Sequence, residues 1–294
     1  MPGVLDRVAL AGAGDAVRSV PLRSEEQESG RLVRGAVWVL LGVLVLRFAA
    51  MWLDAFAGVS IPVQTGGSIG FTLVFTAFSV LHAGCVLGWR RAVAFFTLCA
   101  AVTWSFEAVG IATGLVYGAY HYGSRLGPKL GAVPVIIPLA WFMMVYASWI
   151  VAALLISGVR GAGVSSREAA ARVVAAAMVM TAWDTVMDPG MARSGAWVWE
   201  HGGGYFGVPE RNFVGWVVTT GTVYALAEVV MRRVRPGGTV VSAGRGFRAL
   251  PAVVYGLVAM DRILLPTFPE LRVVAVFGMG LVTLLAWARV CAGE

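Results

Sequence analysis

Six ionisable residues interrupt the long apolar runs of this sequence. They are Arg47, Asp54, Glu107, Asp184, Asp188 and Glu228. A charged side chain is costly in hydrocarbon, so each of these positions is a candidate functional residue. For Arg47, Asp54 and Glu228, pairing with a neighbouring helix or reaching the headgroups is a sufficient explanation. The other three acids lie deeper in their runs and are the stronger candidates for chemistry.

The spacing of the three acids predicts that they converge. Glu107 lies roughly two thirds of the way along its run, and Asp184 lies at a similar depth if its own run crosses in the same direction. Asp188 is one helical turn further on, on the same face as Asp184. Burial and nearby like charge both favour a neutral carboxyl group, which can act as a general acid. The alternative is a hydrogen-bonded acid network that only packs helices.

Glycine and tyrosine dominate the segment after Glu107, which reads AVGIATGLVYGAYHYG. Glycine recurs every fourth residue, at Gly110, Gly114 and Gly118, a spacing that predicts close helix contact. The candidate contact residues that follow are Tyr117, Tyr120, His121 and Tyr122. Interfacial tyrosines also form structural belts in membrane proteins, so the pattern leaves both roles open.

A second unusual segment follows Asp188, where WVWEHGGGYFGVPERNFVGW connects two apolar runs. A connection of about 20 residues with this content predicts an ordered, functional loop. It adds Tyr205, Phe206 and Asn212 to the candidates, and Trp183 precedes Asp184. The three glycines at 202–204 lack the strand–turn–helix context of a dinucleotide site.

The elements that position these residues are transmembrane helices. Hydrophobic residues make up 59% of the 294 residues and charged residues only 13%, which excludes an ordinary soluble domain. Apolar runs of about 20 residues match the bilayer core. We predict an all-α polytopic bundle of about eight spans, at residues 35–57, 68–89, 92–116, 133–157, 169–189, 211–231, 248–265 and 270–290. The seventh is shortest and ends in Asp261 and Arg262, so seven spans are the alternative.

The basic residues predict the orientation. With the N-terminus inside, 16 of the 23 lysines and arginines lie in inner segments and 6 in outer loops. This distribution follows the positive-inside rule and predicts a cytoplasmic N-terminus in a multi-pass protein of the cell membrane. Residues 1–34 mix both charges without a signal-peptide core, which predicts a flexible cytoplasmic tail before a single membrane domain at 35–290.

Several function classes are disfavoured. The net charge of +7 comes mainly from arginines between apolar runs, so it indicates topology and not nucleic-acid binding. The three cysteines form no CxxC pair, and the three histidines form no histidine-rich motif of the membrane di-iron enzymes. We therefore expect no metal and no cofactor.

Three blocks together resemble a known family. FEAVGIATGLVYGAYHYG, AWDTVMDPG and GGGYFGVPERNFVGW are similar to the carotenoid hydratases of the CruF type, which include enzymes acting on monocyclic carotenes and bisanhydrobacterioruberin hydratases. The resemblance covers roughly residues 70–230. The polar residues at matching positions are Glu107, Tyr120, Tyr122, Asp184, Asp188, Tyr205 and Asn212.

The resemblance implies addition of water to the terminal double bond of an acyclic carotenoid end. A desolvated acid protonates the alkene, and water captures the tertiary carbocation to give a tertiary alcohol. We expect Asp184 or Glu107 to be the acid and Asp188 to orient the water or hold its partner's proton. Tyr120, Tyr122 and Asn212 complete the expected catalytic group. The aromatic faces of Tyr117, Trp183, Tyr205 and Phe206 are expected to stabilise the cation, and His121 to contact the substrate.

Alternatives remain open at this point. A carotenoid end-group cyclase would use the same protonation, and a proton-coupled transporter would also need intramembrane acids. Pigment binding without turnover is a third. The expected partners are a membrane-dissolved carotenoid and the lipid bilayer; a contact with other membrane enzymes of carotenoid synthesis stays open.

Overall fold

The computed structural model describes residues 13–59, 67–158, 165–237 and 244–293. The long helices are α1 (Ala13–Ala57), α2 (Gly67–Leu87), α3 (Trp89–Thr113), α4 (Ile136–Ser157), α5 (Ser166–Arg193) and α6 (Glu210–Arg233). They are followed by α7 (Arg245–Arg248), α8 (Leu250–Leu264), α9 (Leu271–Ala275), a π-helical turn (Val276–Gly280) and α10 (Leu281–Ala292). The short strands are β1 (Tyr120–Tyr122), β2 (Lys129–Leu130), β3 (Val133–Pro134) and β4 (Trp197–Trp199). The predicted all-α class is confirmed.

Seven helices of the described residues are long and apolar enough to cross a bilayer: α1 to α6, and the continuous helix Leu271–Ala292. The predicted seventh span corresponds to α8, which has only 15 residues. At 1.5 Å per residue this helix is about 22 Å long, shorter than the bilayer core of about 30 Å. The chain is a multi-pass membrane protein, and its orientation stays a prediction.

Helix α8 packs against α1, and the short helix α7 that precedes it also contacts α1. The Arg34 guanidinium lies over the ring of Phe247 in α7, with 5.1 Å from Arg34 Cζ to the ring centroid. The ring centroids of Phe247 and Trp38 are 6.3 Å apart. At the other end of α8, Asp261 and Arg47 line the same cavity. Together, α7 and α8 therefore extend from the Arg34 side of α1 to the cavity, although α8 is too short to span a bilayer by itself.

Helix α1 begins earlier than we predicted. Residues 13–34 belong to the same helix as the first span, whereas the sequence predicted a flexible tail over 1–34. Leucine, glutamate and arginine between residues 22 and 34 favour helix, and a span already formed lets that helix extend. Residues 1–12 of the predicted tail lie outside the described residues. The assignment of residues 35–290 to a single membrane domain stays a prediction.

Helix α4 lies at the centre of the bundle. Every residue from Trp141 to Ala152 is buried, as expected for a helix that is apolar on all faces. It packs against α2, α3, α5 and α8. The segments that carry the candidate acids are therefore arranged around one central helix.

The end of the bundle that carries β1 and β4 is called the cap end. Strands β1 and β4 form an antiparallel ladder in which Tyr120 faces Trp199 and Tyr122 faces Trp197. The backbone N–H of Gly123 donates to Ala196 O at 2.9 Å and extends the ladder. The ladder holds the two connecting segments together over the cap end.

The repeated glycines do not form the helix contact that their spacing predicted. Gly114 ends α3 with φ of +67°, and Gly118 lies in the following turn with φ of +89°. Both values are in the left-handed region, where glycine is favoured. A different glycine provides the close approach: a Cβ on Gly215 of α6 would lie 2.4 Å from Val116 O.

At the opposite end of the bundle, polar side chains are buried in pairs. Arg172 of α5 donates to Glu228 of α6 at 2.5 Å. His82 of α2 contacts the Tyr146 hydroxyl at 2.8 Å and Phe247 O at 2.7 Å. These contacts join five of the helices.

Candidate active site

Glu107 is surrounded by hydrogen-bond donors. Its Oε2 accepts from the Tyr120 hydroxyl and from the Tyr122 hydroxyl, the latter at 2.7 Å, and its Oε1 accepts from Trp141 Nε1 at 2.9 Å. The side chain is buried near the cap end of α3. Three donors on one carboxyl group suit its charged form, because each compensates for lost hydration.

The cap supplies two of these donors. In β1, Tyr120 and Tyr122 point inward and His121 points outward, because side chains alternate along a strand. Burial, followed by the nearby charge of Glu107, raises the pKa of Tyr120 and of Tyr122 well above the ordinary value. Both hydroxyls therefore stay protonated and donate to Glu107.

Asp184 and Asp188 share one amide group. Asn212 Nδ2 donates to Asp184 Oδ2 at 3.0 Å and to Asp188 Oδ2 at 2.6 Å. The two acids are one turn apart on α5, and both are fully buried. Neither Oδ1 atom has a hydrogen-bond partner among the described residues. Two carboxyl groups this close in an apolar interior favour a shared proton over two negative charges.

A cavity of about 310 Å³ joins the two acid groups. Glu107, Asp188 and Asn212 line it, while Asp184 lies behind Asp188. Aromatic and methionine side chains make up much of the remaining wall: Phe48, Phe71, Tyr117, Trp141, Met143, Met144, Trp183, Met187, Met191, Trp197, Trp199 and Trp216. An apolar cavity with a few convergent polar groups is typical of a site for an apolar ligand.

Comparison with known proteins decides the family. Residues 66–286 match the model of the family described as "Carotenoid biosynthesis protein". The chain belongs to this family. A segment of 118 residues is 33% identical to bisanhydrobacterioruberin hydratase of Haloarcula japonica, and the match covers 40% of this chain and 38% of that relative. No solved structure matches the chain.

For this carotenoid biosynthesis protein, the structure brings most predicted catalytic residues together. Glu107, Tyr120, Tyr122, Asp188 and Asn212 all line the cavity. Asp184 reaches it only through Asp188 and Asn212. Their roles in catalysis stay a prediction.

The predicted substrate contacts divide into two groups. Tyr117 and Trp183 line the cavity, and the Tyr117 hydroxyl is hydrogen-bonded to Thr219 at 2.8 Å. His121 is exposed on the outer face of β1. Tyr205 and Phe206 do not line the cavity either. Phe206 has φ of +50°, and its ring packs on that of Phe268 with 4.8 Å between the ring centroids. Their loop is held against the connection between α8 and α9.

The sequence reasoning missed Trp141, the third donor to Glu107. Trp141 also stacks on Trp216, with 4.1 Å between ring centroids. The available indication was an indole N–H near the cap end of an otherwise apolar helix, at the depth of Glu107. Trp199 was missed as well: its Nε1 donates to Tyr117 O at 2.9 Å.

Proposed function

We propose that this protein is a carotenoid hydratase, which adds water to the terminal double bond of an acyclic carotenoid end group. The observation that carries the proposal is the placement of Asp188 and Glu107 on one aromatic cavity. Membership of the carotenoid biosynthesis family and the similarity to a hydratase support it. The cavity volume is near the lower end for ligand pockets, which suits the end group of a long substrate.

Asp188 is the proposed proton donor. It lines the cavity, whereas Asp184 lies behind it. Glu107 also lines the cavity, but its three hydrogen-bond donors suit the charged form, so the geometry favours Asp188 over both acids that the sequence analysis preferred. Asn212 positions Asp188, and burial in apolar surroundings helps the Asp184–Asp188 pair retain one proton. The proton adds to the less substituted alkene carbon, and the electron pair of the double bond forms the new C–H bond. A tertiary carbocation remains on the carbon with two methyl groups.

Glu107 is the proposed acceptor for the second step. As a carboxylate held by three donors, it stabilises the cation and orients the attacking water. The water oxygen bonds to the cation and gives its surplus proton to Glu107, which forms the tertiary alcohol. Transfer of that proton back to the Asp184–Asp188 pair restores the site. The reaction consumes one water and needs no oxidant or reductant.

The test is expression in a host that accumulates lycopene or another acyclic carotenoid, with mass analysis of the extracted pigments. A hydratase gives a product heavier by one water. Glu107→Gln, Asp184→Asn and Asp188→Asn are compared at equal membrane levels, and Asp188→Asn is expected to give the largest loss. A product of unchanged mass but altered retention would instead identify a cyclase, and no new pigment would refute an enzymatic role on these substrates.

A further inference from the structure

A second charged group lines the same cavity as the acids. It consists of Asp261 and Arg262 at the end of α8 and Arg47 of α1. The Arg47 guanidinium lies over the Phe71 ring, with 5.3 Å from Cζ to the ring centroid, and Phe71 also lines the cavity. The proton-transfer steps proposed above do not use this charged group.

Asp261 has the features of a built binding site. The residue is only 2% exposed, and its Oδ2 accepts from Arg262 Nη2 at 3.0 Å. Its Oδ1 has no hydrogen-bond partner among the described residues, and Trp52 Nε1, which faces this carboxyl, makes no hydrogen bond of normal geometry to it. A buried carboxylate oxygen without a donor is costly. Because Asp261 lines the cavity, a water molecule that moved in beside this carboxyl group would supply the missing donor.

Arg262 connects this site to the surface. Its side chain is 31% exposed, whereas that of Asp261 is 3% exposed. The connection after α8 lies at the cap end, because Arg193 Nη1 donates to Thr267 O at 3.0 Å. The cap itself presents the indole rings of Trp197 and Trp199 to the cavity. A partly exposed cation and a buried carboxyl group that both line the cavity therefore lie together at the end of α8, beside the aromatic cap.

We propose that Asp261 and Arg262 form the route by which water reaches the reaction cavity. This inference rests on the proposed hydratase function. Once the carbocation has formed, it has two fates. Water adds to it and yields the alcohol, or an adjacent carbon loses a proton to a site carboxylate and an alkene is restored. The supply of water decides between them, so Asp261 and Arg262 act on capture and not on protonation.

The experiment uses membranes containing the full chain and an acyclic carotenoid in deuterium oxide. Mass analysis gives two amounts: the hydrated product, and recovered alkene that carries deuterium from a reversed protonation. Asp261→Leu and Arg262→Leu are expected to lower the ratio of product to deuterated alkene at least about tenfold, as for loss of one charge-assisted hydrogen bond to the water. Asp261→Asn, which stays polar, is expected to retain most of the wild-type ratio. Asp54→Leu is the matched control, because Asp54 is exposed and does not line the cavity.

Each outcome separates this inference from the function on which it rests. An unchanged ratio in both leucine variants, with the wild type active, would overturn the water route and leave the hydratase intact. Loss of both product and deuterated alkene in Asp261→Leu and in Asp261→Asn, at wild-type membrane levels, would assign Asp261 to protonation and also overturn the route. A wild type that forms neither species would remove the hydratase function and the route together.

Discussion

The two ends of the bundle bury charge differently. At the opposite end, Arg172 and Glu228 match one cation to one anion at 2.5 Å. At the cap end, Asp184 and Asp188 share one neutral amide, and each keeps an oxygen without a partner among the described residues. The matched pair lies between helices, whereas Asp188 faces a cavity.

The difference separates charges that hold helices together from charges available to a ligand. Removing one partner of a matched buried pair leaves an uncompensated charge and costs stability. Two buried carboxyl groups without a neighbouring cation already cost stability in the wild type, and such an arrangement is typical of functional sites. Substitutions at the two ends should therefore change different observables.

The largest expected effect is that of Asp188→Asn at the cap end. The amide keeps the shape and the contact with Asn212 but has no acidic proton, so hydration should fall by about 10²–10⁴-fold. Product per folded protein, measured by mass analysis of pigments, checks this. The melting temperature in detergent should stay close to wild type or rise, and a variant with full activity would exclude Asp188 as the acid.

The next effect is on stability, at the opposite end. Glu228→Gln leaves the Arg172 charge without its counterion, and the free energy of unfolding should fall by about 3 kcal/mol. Thermal unfolding in detergent measures it, and hydration per folded molecule should be unchanged. The double variant Arg172→Met with Glu228→Leu should recover much of the loss. Lower turnover without lower stability would contradict the division between the two ends.

A smaller effect is expected for Tyr122→Phe, which removes one donor from Glu107 and keeps the ring. Losing a hydrogen bond to a charged group should reduce hydration about tenfold. Tyr224→Phe is the matched control, since its hydroxyl donates to Val145 O and does not line the cavity. Equal losses in the two variants would show that Glu107 does not depend on the cap.

The smallest effect is expected for His121→Ala, between the two inward-facing tyrosines. Because His121 is exposed on the outer face of β1, hydration and melting temperature should match wild type. A steady-state comparison of hydration rates checks it. A clear loss of activity would mean that the outer face of the ladder takes part in substrate entry.

The depth of the acids in the membrane could be predicted from the sequence, whereas the side-chain contacts between helices could not. The rise per residue along a helix fixes how far Glu107 and Asp188 lie from its ends, so their convergence followed from the span boundaries. The donor from Trp141 depends on how α3 and α4 are rotated against each other. The sequence could place the Trp141 indole near the depth of Glu107, but because α4 is apolar on all faces, no periodicity showed which of its faces meets α3.

The pairing of β1 with β4 at the cap end could not be predicted from the sequence, for a different reason. Strands β1 and β4 have three residues each and pair segments 120–122 with 197–199, which is too short for an alternating pattern. The length and glycine content of the second segment indicated an ordered loop, but not its partner. The same limit explains why His121, Tyr205 and Phe206 were predicted to contact the substrate, although none of them lines the cavity.

The β1–β4 ladder also constrains the order of assembly. Its two strands are separated in the chain by α4 and α5, so both helices must be inserted before the strands can meet. Until then, Tyr120 and Tyr122 have no neighbour on the other strand to orient them towards Glu107. A nascent chain that has not yet delivered residues 197–199 therefore carries its acids in the membrane without the groups that complete the site. On the proposed function, the acid site is therefore complete only late in biogenesis.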